Sequence, residues 1–152
     1  MSDKTAPATP DLNDFDLDDF TAVDKPAPLI LLNPNTGEEL TNKGEKIILL
    51  INGPESQIMR DYERSISNRR LKTLQTTGRL NMDADLMDSE TMGRLAKSVA
   101  GWSENFYIDK QYMAYTPQNA AEIIRTRGWI RAQVAQFVAQ AGNFSRSKSR
   151  VN

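Results

Sequence analysis

Residues 115–144, YTPQNAAEIIRTRGWIRAQVAQFVAQAGNF, read as two short helices joined at a single glycine, and the rest of the chain has to be arranged around them. Thr116 offers a side-chain oxygen at the N-cap, and Pro117 takes the first helical position, where its missing N–H leaves nothing unpaired. Apolar residues follow at Ala120, Ile123 and Ile124 and resume beyond the break at Ile130, Val134, Phe137, Val138 and Ala141, the spacing of a helical face. Gly142 is the expected stop. Arg125, Arg127 and Arg131 flank the bend, and no acidic residue follows Glu122, so an apolar face and a basic edge lie side by side. The expected helices span 117–127 and 129–141.

Upstream, from Pro28, the texture is β-like. Residues 29–32 and 46–51 are short branched, apolar runs; the first leads into Asn33-Pro34-Asn35-Thr36-Gly37, dense in turn residues, and the second ends at Asn52-Gly53. They read as an antiparallel ribbon over 28–53 with a loop of about a dozen residues, longer than common hairpin loops. A two-stranded ribbon is marginal alone, so it must lie on a helix or gain a strand from another chain. Pro54 then opens a long expected helix, 54–77, with Gly78 as terminator. Ile58, Tyr62, Ile66 and Leu74 keep one face, while Arg60, Asp61, Arg64, Arg69, Arg70 and Lys72 load the others. That charge is either a solvated side or, around Arg69, Arg70 and Lys72, a patch for an acidic partner.

An acidic stretch at 81–90 follows, in which Asp88 caps an expected helix 88–101 through Met92, Leu95, Ala96, Val99 and Ala100 to Gly101. Its carboxylates, Asp83, Asp85, Asp88 and Glu90, suit a helix N-terminus better than a metal site or an acid/base pair. Residues 102–115 hold Trp102, Phe106, Tyr107, Tyr112 and Tyr115 without a clear period. They read as a connection that lays its rings on the apolar face of the helical pair. A platform for stacking bases would want interleaved cations, and only Lys110 is present.

The charges are segregated. Residues 1–24 carry seven Asp and one Lys, leaving 18 basic and 13 acidic residues in the body of a chain whose net charge is −1. Residues 1–27 have too few branched apolar side chains to offset the entropy of ordering, so a disordered acidic arm is expected there. Within it Leu12, Phe15, Leu17 and Phe20 interleave with carboxylates, which suits either a solubilising tail or a docking segment. A calcium loop counted from Asp14 fails, because Asp19 stands where glycine is needed and Lys25 where glutamate is needed. Residues 145–152 form a short basic tail, expected to be flexible. The expected fold is therefore mainly α with a small N-terminal β-ribbon, an α+β chain with one small domain over 28–144.

Function classes can be excluded on chemistry. The chain has neither cysteine nor histidine, which removes disulfides, the usual zinc ligands, the commonest general base and every Cys/His or Ser/His nucleophile arrangement. Gly37 and Gly44 lack the Walker spacing. No enzyme, no cofactor and no metal are expected. The longest apolar runs fall far short of the ~20 residues that cross a bilayer, and the first residues lack a secretory pattern, so a soluble protein is expected.

The order of these features, a turn-rich ribbon with PNTGEEL, a long charged helix with NRRLK, a helix ending at Gly101-Trp102, then Tyr115, Asn119 and Ala120, and finally Trp129-Ile130, Val134, Phe137, Asn143 and Phe144, resembles the tail assembly chaperones of long-tailed, siphovirus-like bacteriophages. The resemblance covers residues 29–144 and rests on spaced hydrophobic and aromatic residues. It implies a non-enzymatic protein of the infected bacterial cytoplasm that binds the long helical tape measure protein, keeps it soluble and recruits tail tube subunits. It also implies absence from the finished virion and a longer form of the chain made by frameshifting near residues 145–152. On this reading Trp129, Ile130, Phe137 and Phe144 are the apolar anchors for the client, with Arg125, Arg127 and Arg131 at the rim. The same apolar residues could instead form the internal core, Ile130 and Phe137 above all. Two rivals remain: a helix-turn-helix DNA-binding protein with Gln133, Gln136 and Gln140 facing the groove, and a permanent virion part such as a connector or tail completion protein. Against the first, the second helix offers only Arg131 as a strong contact, so nucleic acid and membrane are not among the expected partners.

Overall fold

The structure, a computed structural model, describes residues 16–80, 83–146 and 148. It is mainly α with a small β part, built on a three-stranded antiparallel sheet with two helical pairs. Strands β1 (Ala27–Ile30) and β4 (Ile48–Ile51) are the expected ribbon, in register from Ala27 opposite Ile51 to Ile30 opposite Ile48. The third strand comes from the same chain: β5 (Val99–Trp102) lies on the other side of β4, giving the order β1-β4-β5. This corrects the expected helix 88–101, whose last residues are strand. Helix α2 runs Ala84–Ser98, with Asp83, not Asp88, accepting from the Asp85 N–H at its start. Period-3.6 spacing at Val99 and Ala100 lost to the gain from pairing the unsatisfied edge of β4, an effect that local pattern does not report.

Between β1 and β4 the chain is not an open loop. Asn33 accepts from the Asn35 and Thr36 N–H groups through Oδ1, and Gly37 closes the turn at φ 77°. A second hairpin follows, β2 (Thr41–Asn42) with β3 (Glu45–Lys46), turning at Lys43 and Gly44, both at positive φ. The aromatic stretch holds a third, β6 (Tyr107–Ile108) with β7 (Gln111–Tyr112), turning at Asp109 and Lys110 in the same way. Its rings pack on one another and on the core shared with the helical pair: Trp102 stacks on Phe106 at 4.4 Å, Tyr115 meets Trp102 edge-on at 5.1 Å, and Trp102 Nε1 donates to the Met113 carbonyl.

Helix α1 (Gln57–Thr77) starts three residues after Pro54, because Ser56 uses both its N–H and its hydroxyl on the Gly53 carbonyl and turns the chain there. Gly53 is required by close approach: a Cβ at 53 would stand 2.9 Å from the Phe144 ring. Gly78 at φ 71° ends α1 as expected. The buried face of α1 differs from the expected one. Met59 and Ile66 are buried, whereas Ile58 and Leu74 are exposed.

Helices α3 (Pro117–Thr126) and α4 (Gly128–Ala139) match the expected pair closely. Thr116 accepts from the Asn119 N–H, as the capping pattern requires. The hinge itself is Arg127, at φ −113° and ψ 87°; Gly128 is already the first residue of α4. Nor does Gly142 stop the second helix, which ends at Ala139, is capped by Gln140 and leads into a 3-10 turn, Ala141–Phe144. The inward residues of the sheet, Ala27, Leu29, Leu49, Ile51 and Val99, form one core with Ala120, Ile123, Ile124, Ile130, Val134, Phe106 and Phe144.

The acidic arm and basic tail also require correction. Residues 16–27 are structured: Leu17–Phe20 is a 3-10 turn, and Ala22 bridges Ser145. Val23 N–H donates to the Phe144 carbonyl, Arg146 N–H donates to that of Thr21, and Asp24 accepts from Gln57 N–H at the start of α1. The two ends of the domain thus pair backbone to backbone, a long-range contact invisible to composition. Leu12 and Phe15 lie outside the described residues.

Tyr115 offers a local test. Its hydroxyl donates to the Val99 carbonyl at 2.7 Å, and burial pushes the phenol above its ordinary value. A raised pKa in the folded state means the unfolded chain deprotonates first, so stability is full below about pH 10 and declines as pH rises through the folded value. Tyr115→Phe is expected to cost about 1 kcal/mol at neutral pH and to flatten that alkaline decline, read from urea midpoints at pH 7 to 11. An unchanged alkaline slope would show that another group causes it.

Candidate functional site

The seven residues expected at a client surface do not stay together: the four apolar ones differ in burial and the three arginines in their partners. Ile130 and Phe144 are buried in the core, 1% and 2% exposed, which corrects their assignment as partner anchors: no partner reaches them in the folded chain. Phe137 is half-buried and packs edge-on against Phe144 at 5.4 Å. Trp129 alone among the four stays on the surface, at 37% exposure. It stands on the first turn of α4, where the same helical pattern that buries Ile130 and Val134 must turn residue 129 outward.

The arginines are partly used inside the fold. Arg131 reaches back and donates to the Ile124 and Arg125 carbonyls at 2.8 and 3.3 Å, satisfying the C-terminal end of α3. Arg125 pairs with Glu122 at 2.7 Å in an exposed contact, and Arg127 donates to Thr126 Oγ1. Arg125 is exposed, while Arg127 and Arg131 are half-buried.

Along α4, residues 129, 133 and 136 share one stripe at helical spacing, with Gln140 capping the helix beyond it. Gln133 does not face solvent as a groove reader would. Its amide forms two hydrogen bonds with the backbone of Leu32, accepting from the N–H at 2.9 Å and donating to the carbonyl at 2.8 Å, so it continues the β1 edge with a side chain. Around it Leu29, Leu32, Gln136, Phe137 and Gln140 line a shallow groove of about 180 Å³. Trp129 lies one turn before Gln133 on α4, with Arg125 and Arg127 before it at the bend. Among the described residues no cluster of three or more His, Cys, Asp or Glu is placed to hold a metal ion, and no helix is long and apolar enough to cross a membrane.

A second exposed apolar surface was not foreseen. Helices α1 and α2 form an antiparallel hairpin joined by Glu63 to Arg94 at 2.6 Å and by Arg70 to Glu90. The Glu63 hydrogen bond holds the Arg94 guanidinium above its ordinary pKa. Away from the sheet, Leu71, Leu74, Leu80 and Met87 remain exposed. Leu74 had the signal of a buried face, but the cleft toward α2 is lined from α1 by Arg69, Arg70 and Thr73. No protein-family model, no curated protein and no solved structure matches the chain.

Proposed function

We propose that this chain is a tail assembly chaperone of a long-tailed bacteriophage, which binds and solubilises the tape measure protein and brings tail tube subunits to it. It acts in the cytoplasm of the infected bacterium and is absent from the mature virion. The observation that supports this reading is on α4: Trp129 exposed one turn before Gln133, the groove around Gln133 lined by Leu32, Phe137, Gln136 and Gln140, and Arg125 and Arg127 just before the helix in the chain. An apolar groove with a Trp anchor and a cationic rim suits an amphipathic helix of the kind that a tape measure protein repeats along its length. Such a surface needs no catalytic group.

Co-expression with the tape measure protein of the same phage is the test. The wild-type chain is expected to raise its soluble fraction severalfold. Trp129→Ala, at a surface position, is expected to leave the thermal midpoint nearly unchanged while losing most of that gain. No solubilisation by the wild-type chain would refute the reading, and stoichiometric recovery of the chain from purified particles would replace it with a permanent virion part.

A further inference from the structure

The α1–α2 hairpin carries an apolar face and a charge arrangement that complement a second copy of themselves. Arg69, Arg70 and Thr73 of α1, with Leu80, Leu86 and Glu90, line the cleft between the helices, where Arg70 pairs with Glu90. One residue further along a right-handed helix is a turn of about 100°. Because the two helices run in opposite directions, that step carries Leu71 and Leu74 of α1 and Met87 of α2 to the same side of the hairpin. They are 53%, 41% and 39% exposed. A further step places Lys72 and Asp88 on the two outer flanks of this face. They stand at the same height, since Arg70 is opposite Glu90 and Thr73 shares the cleft with Leu86.

Charge decides how such a face can be covered. From Arg64 to Arg79 α1 and its turn carry only basic charges, and from Asp83 to Glu90 α2 carries only acidic ones. Among the described residues neither Lys72 nor Asp88 forms an ion pair. Placing α1 on α1 of another chain would set like charges together, whereas placing α1 on α2 matches them. We propose that this face is a homodimer interface, with a two-fold axis running along the hairpin. That axis keeps heights unchanged, so Lys72 meets Asp88 of the second copy twice, on either side of a small core of Leu71, Leu74 and Met87. The helices alternate in direction around the resulting four-helix bundle. A face two helices wide and about 20 Å long makes a small interface, so association is expected in the micromolar range.

Sedimentation equilibrium of the full chain reads the proposal. The mass is expected to rise with concentration toward twice the 17.1 kDa of one chain. Leu71→Asp, at an exposed site, should hold it at the single-chain mass with the circular dichroism spectrum unchanged. Lys72→Glu and Asp88→Lys should each weaken association about tenfold or more. Mixed one to one, these two variants should associate at least as well as wild type, because each chain then offers the charge the other needs. A wild-type chain that stays at the single-chain mass at every concentration overturns the proposal, as does a dimer indifferent to Leu71→Asp or a mixture that fails to re-associate. If the monomer instead captures the tape measure protein through Leu71, the face belongs to the client and not to a second copy.

Discussion

Ile130→Ala is expected to destabilise the protein by about 3 kcal/mol, within the range for deleting a large aliphatic side chain from a packed core. Ile130 is 1% exposed and shares one cluster with Leu29, Leu49, Ile51, Ile123, Ile124, Val134 and Phe144, residues from the sheet, both helices of the C-terminal pair and the final turn. Removing its outer carbons leaves a void that the sheet and α3 cannot both collapse into. For a chain of this size the loss corresponds to a fall of roughly 6–12 °C in Tm. The neighbouring Trp129→Ala removes a larger side chain from the surface and should shift Tm far less. Differential scanning calorimetry of the two variants side by side checks the assignment. Equal losses would mean that Trp129 is a core residue and that the α4 stripe is not a docking surface.

Asn105→Ala is expected to cost about 2–3 kcal/mol, because it strips hydrogen bonds from groups that burial has removed from water. Asn105 is 8% exposed. Its two amide hydrogens are shared among the carbonyls of Asn42, Glu45 and Lys46 at 2.9, 2.9 and 3.3 Å. Its carbonyl oxygen accepts from the Ser103 hydroxyl, and that hydroxyl in turn accepts from the Ile48 N–H. One side chain thus ties the β2–β3 hairpin to the end of β5, with Lys43 reaching the Tyr107 hydroxyl alongside. Hydrogen exchange in residues 41–48 should accelerate together on substitution, while α3 and α4 lose protection only in step with global stability. Unchanged exchange across 41–48 would show that the two-residue turn holds this hairpin without help.

Some of this was legible in the residues. The capping pattern at Thr116 and Pro117 and the apolar period that follows describe α3 and α4 to within two residues, because caps and helical spacing act within one or two turns of chain. Gly78 and the Asn33–Gly37 turn were legible for the same reason. The client residues were not separable by pattern: Trp129 and Ile130 are adjacent, equally apolar, and differ only in the side of α4 on which the sheet lies. Gln133 looked like a reader of another molecule and is spent on the Leu32 backbone, a contact spanning 101 residues.

What the sequence by itself determined is therefore local: which stretches turn, which are helical, that the fold is mainly α with a small β part, and that Cys and His chemistry is absent. Tertiary structure alone decided that residues 99–102 leave a helical pattern to become the third strand. It decided that residues 16–27 close against residues 144–146, and that Phe144 fills the space over Gly53. It also decided which leucines of α1 stay in water. The physical reason is the same in each case. A backbone edge or an apolar face is satisfied by whatever partner the fold brings to it, and that partner lies far away along the chain.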